Sequence, residues 1–237
     1  MDKIRDSIIV NQFPSLLRRT VKAIKDYKMI NQGDRVLVAV SGGKDSISMM
    51  HLLDYLSRRE AFDFKLIVCN VNLGCNCTHT RLLKEYFQHY GFSYLFLQRD
   101  VLGVKRREDL NCFWCSWNRR KALFEAARKY DCNKLALGHH LDDVVHTTLM
   151  NMFFYGEVST AIPYLELFGG EIVLIRPLCY IHEYETREFT KVLNAPLSRC
   201  ICPHDQTSKR AFIKNIFAPL FNNFPLLKNN IFTALKT

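Results

Sequence analysis

The sequence predicts a doubly wound α/β fold, a mostly parallel sheet covered on both faces by helices. Three observations point there. Short apolar runs rich in β-branched residues recur along the 237 residues, stretches of helical periodicity separate them, and a glycine-containing turn links the first run to a helix. Taken in order, residues 7–30 place Ile8, Ile9, Leu16, Leu17, Val21, Ile24 and Ile30 at roughly helical spacing, interrupted at Pro14, with Arg18, Arg19, Lys22, Lys25 and Lys28 outside them. This is a basic helical lead-in, set off by the turn-like Asn31-Gln32-Gly33-Asp34. Residues 35–40 form the first strand, its continuous apolar run suited to burial on both faces. Further strands are expected at 64–71, 93–97, 134–137 and 171–175, and helices near 46–58, 78–90, 116–130 and 142–154. Such alternation implies right-handed crossovers. After Asp205 the pattern changes to Lys209, Arg210 and Lys214 among Phe212, Phe217, Leu220, Phe221 and Phe224, a basic helical tail. The expected organisation is thus 1–30 as lead-in, 31–204 as the α/β domain with an inserted cysteine motif, and 205–237 as a helical extension.

Composition narrows the function. With 48% hydrophobic and 24% charged residues the chain is unlike a disordered one. Lysine and arginine number 33 against 23 aspartate and glutamate, and the resulting charge of +10 suggests a polyanionic partner such as nucleic acid. Nine cysteines, an odd count with no secretory signal at the start, argue against a disulfide scaffold and for metal binding or sulfur chemistry in a reducing compartment. Nowhere do 18 uncharged apolar residues run together, so a soluble, cytoplasmic protein is expected, with no membrane partner.

The segment Ser41-Gly42-Gly43-Lys44-Asp45-Ser46 lies between the first strand and a helix, where an open parallel sheet binds ligands. Two glycines permit a tight turn with exposed N–H groups, the helix N-terminus adds positive potential, and Ser41, Lys44 and Ser46 can donate to phosphate oxygens. It is neither a GxxxxGK[ST] loop nor a GxGxxG loop, which weakens the case for kinases, GTPases and simple dehydrogenases.

Cysteines supply the second signal. Cys112 and Cys115 form a C-x-x-C on a loop running into the helix near 116–130, and Cys200 and Cys202 follow far downstream. Four thiolates could close a zinc site, whereas three would leave one iron of a 4Fe-4S cluster open. Cys75, Cys77 and His79 could make a small zinc or redox site, while Cys69, Cys132 and Cys179 lie in or beside apolar runs and read as inert buried thiols. Asp142 and Asp143 follow Gly138-His139-His140 at the end of the fourth strand. They suit Mg2+ binding or proton transfer, with a simple preference for a helix N-terminus as the plainer alternative.

The loop Ser41–Ser46 resembles the PP-loop of the ATP pyrophosphatases, which cleave ATP between the α and β phosphates and adenylate a substrate oxygen. Together with Gly138 to Asp143, the C-x-x-C followed by Arg119 and Arg120, the late cysteine pair, Asn151 to Gly156 and Ile175-Arg176-Pro177-Leu178, the chain resembles the tRNA 2-thiolation enzymes over about residues 20–210. The uridine-thiolating relatives carry zinc-finger cysteines before the PP-loop. The first cysteine here is Cys69, so the resemblance is to the 2-thiocytidine branch.

The resemblance implies a Rossmann-like sheet in which Ser41–Ser46 cradles the leaving pyrophosphate, Asp45 helps organise Mg2+, and adenine rests around Ala39, Val40, Val71 and Asn72. It implies a 4Fe-4S cluster on Cys112, Cys115 and Cys202, with Cys200 as rival because this chain has C-x-C where the family usually has C-x-x-C. Arg119 and Arg120 become stabilisers of adenylate charge or contacts to RNA phosphate, and Gly138 and His139 face the nucleotide. ATP and tRNA are the substrates, the modified base must be unstacked, and a cysteine desulfurase is a fitting sulfur donor. Relatives are often homodimers. Basic clusters at Arg18, Arg19, Lys22 and Lys25 and at Lys105, Arg106 and Arg107 could track the phosphate backbone. Two other readings stand beside this one: an ATP-dependent ligase or amidotransferase acting on tRNA with structural zinc, and a non-catalytic nucleotide- and RNA-binding module.

Overall fold

The computed structural model describes residues 2–74, 80–99, 112–197 and 208–235, with the backbone alone for residues 2, 112 and 113. Six strands, β1 (Arg35–Ala39), β2 (Lys65–Asn72), β3 (Tyr94–Gln98), β4 (Lys134–Ala136), β5 (Tyr164–Leu167) and β6 (Ile172–Ile175), form one sheet in the order β3-β2-β1-β4-β6-β5. All neighbours pair in parallel except β5 and β6. Central β1 places Val38 opposite Val68 on one side and Ala136 on the other.

Its side chains alternate between two cores, as the pleat requires. Val36, Val38 and Val40 join Ile47, Met50 and Phe87 on one face, and Leu37 joins Cys69, Leu123 and Ala126 on the other. The helices covering these faces are α3 (Lys44–Ser57), α4 (Thr80–His89), α5 (Cys112–Lys129), α6 (Leu141–Tyr155) and α7 (Glu183–Val192).

Pro14, which reads in the sequence as an interruption, instead opens a helix. Helices α1 (Asp2–Ser7) and α2 (Pro14–Asp26) are joined by a π turn at Ile8–Gln12, and proline is tolerated at a first helical position because no intrahelical acceptor awaits its missing N–H. The lead-in is packed into the body: Ile9, Leu16, Ala23 and Ile24 belong to the main core. Arg5 is buried, 2.6 Å from Asp54 and over the rings of Tyr90 and Phe92.

Three further elements depart from the sequence expectation. The C-x-x-C is not on a loop, since α5 begins at Cys112 and makes Cys112 and Cys115 its first turn. β5 is an added antiparallel edge, four residues after Pro163 that pair with β6 through the turn at Phe168–Gly170. The tail is two helices, α8 (Lys209–Asn223) and α9 (Leu227–Ala234), divided beside Pro225. No helix among the described residues is long and apolar enough to cross a membrane.

The strand order reverses between β1 and β4. A crevice therefore opens at their carboxyl ends, and it is edged by the loops 40–43 and 137–140.

Candidate active site

The loop after β1 is shaped by its own small residues. Asn70 donates to the Val40 carbonyl at 2.7 Å, and Gly42 turns the chain at φ 87°, a conformation that favours glycine. Ser46 Oγ accepts from the Ser41 N–H at 3.1 Å and donates to the Gly43 carbonyl at 2.9 Å, while Ser41 Oγ accepts from the Gly43 N–H at 3.3 Å. These bonds close the loop on itself. No side chain caps the first N–H groups of α3, so they form an anion-binding helix N-terminus.

Gly138 supplies the opposing lip. A Cβ there would stand 2.9 Å from Ser46 Cα and N and 3.0 Å from the Asp45 carbonyl carbon, so only glycine lets the two loops meet backbone to backbone. His139 Nδ1 accepts from Arg176 Nε at 3.2 Å, which leaves the ring proton on Nε2. Burial is the main reason His139 titrates below the usual imidazole range; Asp143 opposes that shift and Arg176 reinforces it. It is therefore a neutral donor at neutral pH.

A cavity of about 300 Å³ lies between these lips. It brings together Ala39, Val40, Ser41, Gly43, Asp45, Ser46, Val71, Arg119, Gly138, His139 and Asp143, all candidates from the sequence, with Ser116 and Arg120 beside Arg119. Its β2 side is apolar, formed by Cys69, Val71 and Leu123. Burial pushes the Cys69 thiol up to about 12, so Cys69 is wall rather than nucleophile. Burial also raises the Cys132 thiol, and Cys179 is fully buried.

A second cavity, about 820 Å³, adjoins the first, and Asp45 and Asp143 line both. Lys44, His140, Glu183, Arg210 and Lys214 are among its other polar lining residues. Asp45 accepts from Lys44 at 2.8 Å and from Thr186 Oγ1 at 2.5 Å. Asp143 accepts from the His140 N–H at 3.0 Å and from Arg210 at 2.7 Å. Burial would raise the Asp143 carboxyl, yet His140 and Arg210 hold it below its ordinary value. Glu183 lies 3.4 Å from Lys44 and 2.9 Å from Lys214; burial opposes its ionisation, but these cations bring it down to about 2.

Four candidates from the sequence lie off the first cavity. Gly42 is the turn itself, Lys44 faces the second cavity, and Asn72 Oδ1 accepts from the Gly74 N–H at 3.0 Å. Asp142 is buried, accepting from the Glu183 N–H at 2.9 Å and from Lys228, so it ties α6 to α7 and α9. Glu183 and Thr186 were not foreseen, because they sit on a helix the sequence reading missed. Arg176 carried a usable signal: a cation ending the buried run Ile172–Ile175 must be held by something.

Cys115 packs partly buried against the second core beside Trp114, and helical register puts it and Cys112 one turn before the cavity-lining Ser116 and Arg119. Cys200 and Cys202, the cluster Cys75, Cys77 and His79, and Lys105, Arg106 and Arg107 lie outside the described residues. Among the described residues no group of three or more histidine, cysteine, aspartate or glutamate side chains is placed to hold a metal.

An uncapped helix start facing a glycine lip at a topological switch point marks a nucleotide-binding α/β protein of the PP-loop class. Residues 14–220 match the PP-loop domain family ATP_bind_3. The chain is 36% identical over 229 residues to the tRNA-cytidine(32) 2-sulfurtransferase of Citrifermentans bemidjiense, covering 94% of this chain and 90% of that one. It is 37% identical over 225 residues to the enzyme of the same name from Anaeromyxobacter dehalogenans strain 2CP-C, covering 93% and 78%. The chain belongs to the PP-loop domain family and, within it, to the tRNA-cytidine(32) 2-sulfurtransferase family. Among solved structures it is similar to the U34-tRNA thiolase NcsA from Methanococcus maripaludis with its 4Fe-4S cluster, with TM-score 0.75, 26% identity, and 92% and 76% of the two chains covered. The NH3-dependent NAD synthetase from Campylobacter jejuni, at TM-score 0.51 and 13% identity over 94% and 91% of the chains, shares the fold alone.

Replacing Gly138 with alanine is expected to part the two lips and weaken ATP binding by about tenfold or more, measured by calorimetric titration. Acid should destabilise the fold. Burial lowers His51 and His139 and brings His146 to about 4, so between pH 6.5 and 4 the unfolded chain binds more protons. Stability should fall on acidification through that window by several kcal/mol, on the order of 3 for each histidine brought to about 4, and further below it as Asp143 and Glu183 protonate, read from urea midpoints.

Proposed function

We propose that the protein catalyses the ATP-dependent 2-thiolation of a tRNA cytidine. The observation that carries this reading is the first cavity, where the PP-loop, Gly138, Asp45 and Asp143 face Arg119 and Arg120, one turn after the C-x-x-C on the same helix. The family of the relatives supports tRNA as the substrate and cytidine as the base.

Oxide is a poor leaving group, so the oxygen on C2 must first be activated. It attacks the α-phosphorus of ATP, forming a C2–O–P linkage as the bond to pyrophosphate breaks. The uncapped start of α3 and the loop N–H groups receive the pyrophosphate. Ala39, Val40 and the apolar wall at Val71 take the adenine, and Arg119 and Arg120 offset charge on the adenylate. Neutral His139 donates a hydrogen bond rather than accepting a proton. Sulfide then forms the C2–S bond as the C2–O bond breaks, and AMP departs with the oxygen that had been on the base.

Two groups fit the residues present. Mg2+ is held by one or two carboxylates plus substrate phosphates, and Asp45 and Asp143, which share both cavities, supply them. Two cysteines one helical turn apart in the backbone suit a soft iron centre, so Cys112 and Cys115 with Cys202 would hold a 4Fe-4S cluster, which when bound supplies iron sites for sulfur chemistry. A cysteine desulfurase is the proposed sulfur donor, its persulfide sulfur released as sulfide by two-electron reduction with cellular thiols, in a cytoplasm that keeps the cysteines as thiols.

After anaerobic reconstitution with iron and sulfide, the protein with ATP, Mg2+ and tRNA should form AMP, pyrophosphate and 2-thiocytidine only when RNA is present, read by mass analysis of nucleosides. Cys112→Ala should cut thiolation by about 100-fold or more, whereas Cys75→Ala should retain it. Equal loss in both would overturn the ligand assignment.

A further inference from the structure

Helix α5 carries an aromatic and cationic strip beside the first cavity. Trp117 is 45% exposed, and its indole stacks on that of Trp114 with centroids 5.7 Å apart and planes 17° from parallel. Trp114 in turn packs against the second core, so the exposed ring is backed and held in one orientation. Arg119, Arg120 and Lys121 follow directly, and residues 112–124 include no aspartate or glutamate. Among the described residues no carboxylate pairs with these three cations. Further along α5, by contrast, Glu125 pairs with Arg99, and Arg128 is held by Glu171 at 2.7 Å. Ser116, Arg119 and Arg120 line the first cavity. Residues three apart on a helix are surface neighbours, so Arg120 links the indole to the cavity mouth.

From this we propose that Trp117 is a stacking platform for the nucleobase next to the target base of the substrate RNA, with Lys121 on the adjoining phosphate. The inference rests on tRNA being the substrate, as proposed above. Singly exposed apolar side chains are ordinary. Here the ring is oriented and lies among unmatched cations, the two features that sites for single-stranded nucleic acid combine. Size favours a base over a protein. A tryptophan buries about 150–250 Å² when covered, so this one leaves about 100 Å² open, far short of the roughly 800 Å² that a standard protein interface takes from each partner.

Taking the target base into the first cavity separates it from the neighbour on which it stacked. The indole gives that neighbour a replacement face, and it does so without reading the base, since every base has a π-face. Lys121 Nζ stands 5.4 Å from the centre of the Trp117 ring. Such an exposed cation–π contact is weak, and the flexible lysine stem lets the ammonium exchange the ring for a phosphate oxygen when RNA arrives.

Photocrosslinking on the reconstituted wild-type protein reads the contact itself. With tRNA carrying 5-iodouridine on either side of the target cytidine, irradiation should form a crosslink that peptide mass analysis places at Trp117. Trp117→Ala should weaken binding of end-labelled tRNA by about tenfold, with the slope of log affinity against log salt unchanged, and Trp117→Phe should recover most of the loss. Lys121→Gln should instead reduce that slope by about 0.7. Phe168→Ala, which removes a ring 52% exposed beside Phe124 of the same helix, should bind as wild type. A crosslink elsewhere, or wild-type affinity in Trp117→Ala, overturns the platform while leaving tRNA as the substrate. Wild-type protein that binds no tRNA overturns the underlying reading as well. A loss in Trp117→Ala accompanied by a flatter salt slope would mean that α5 itself had shifted, and overturns the proposal too. So does normal tRNA binding with failed sulfur delivery from a desulfurase, which would assign the ring to a protein.

Discussion

The site depends on one close approach, the backbone of Gly138 against the start of α3 at Asp45 and Ser46. Two loops from adjacent parallel strands meet there with no side chain between them. Parallel pairing of β1 with β4 brings the loops to one edge, at the point where the strand order reverses. Everything chemical follows from that contact. The helix N-terminus points into a narrow cavity rather than into solvent, and Asp45 and Asp143, one from each loop's helix, stand on a wall common to two cavities.

Charges around that wall are already matched. Lys44 is held by Asp45 and Glu183, Arg210 by Asp143, and Lys214 by Glu183. A polyphosphate entering this network exchanges partners with groups already in place, so little reorganisation is left for the moment of reaction. Helix α7 is the quiet contributor: Thr186 fixes the Asp45 carboxylate, and Glu183 holds two of the cations. Asp142 looks like its neighbour Asp143 in sequence, but it is spent on joining α6 to α7 and α9.

Much of this was legible in the residues, for identifiable reasons. Arg35 to Ser46 combines a two-sided apolar run, paired glycines and a helix start, each with its own physical signature, and the structure places all three together. Gly138 was legible as part of a resemblance, but the reason for a glycine there, a backbone contact across 92 residues of sequence, is visible only in three dimensions. Helix α7 hid because Glu183–Val192 buries only Thr186, Phe189 and Thr190 and starts at His182, with Glu185 accepting from the His182 N–H. β5 hid because a four-residue edge strand needs its partner to be recognised. In the sequence the C-x-x-C reads as a loop because Cys, Phe and Trp are weak helix formers, yet the backbone winds Cys112 and Cys115 into a helical turn that continues directly into the cavity wall.

The central claim is that the base oxygen is activated by adenylation in this cavity, and isotope transfer reads it directly. With tRNA whose target cytidine carries 18O at C2, a turnover in unlabelled water should deliver the label to the phosphate of AMP, one 18O atom for each sulfur introduced, by mass spectrometry. AMP free of 18O alongside 2-thiocytidine, with the label released to water, would contradict the account.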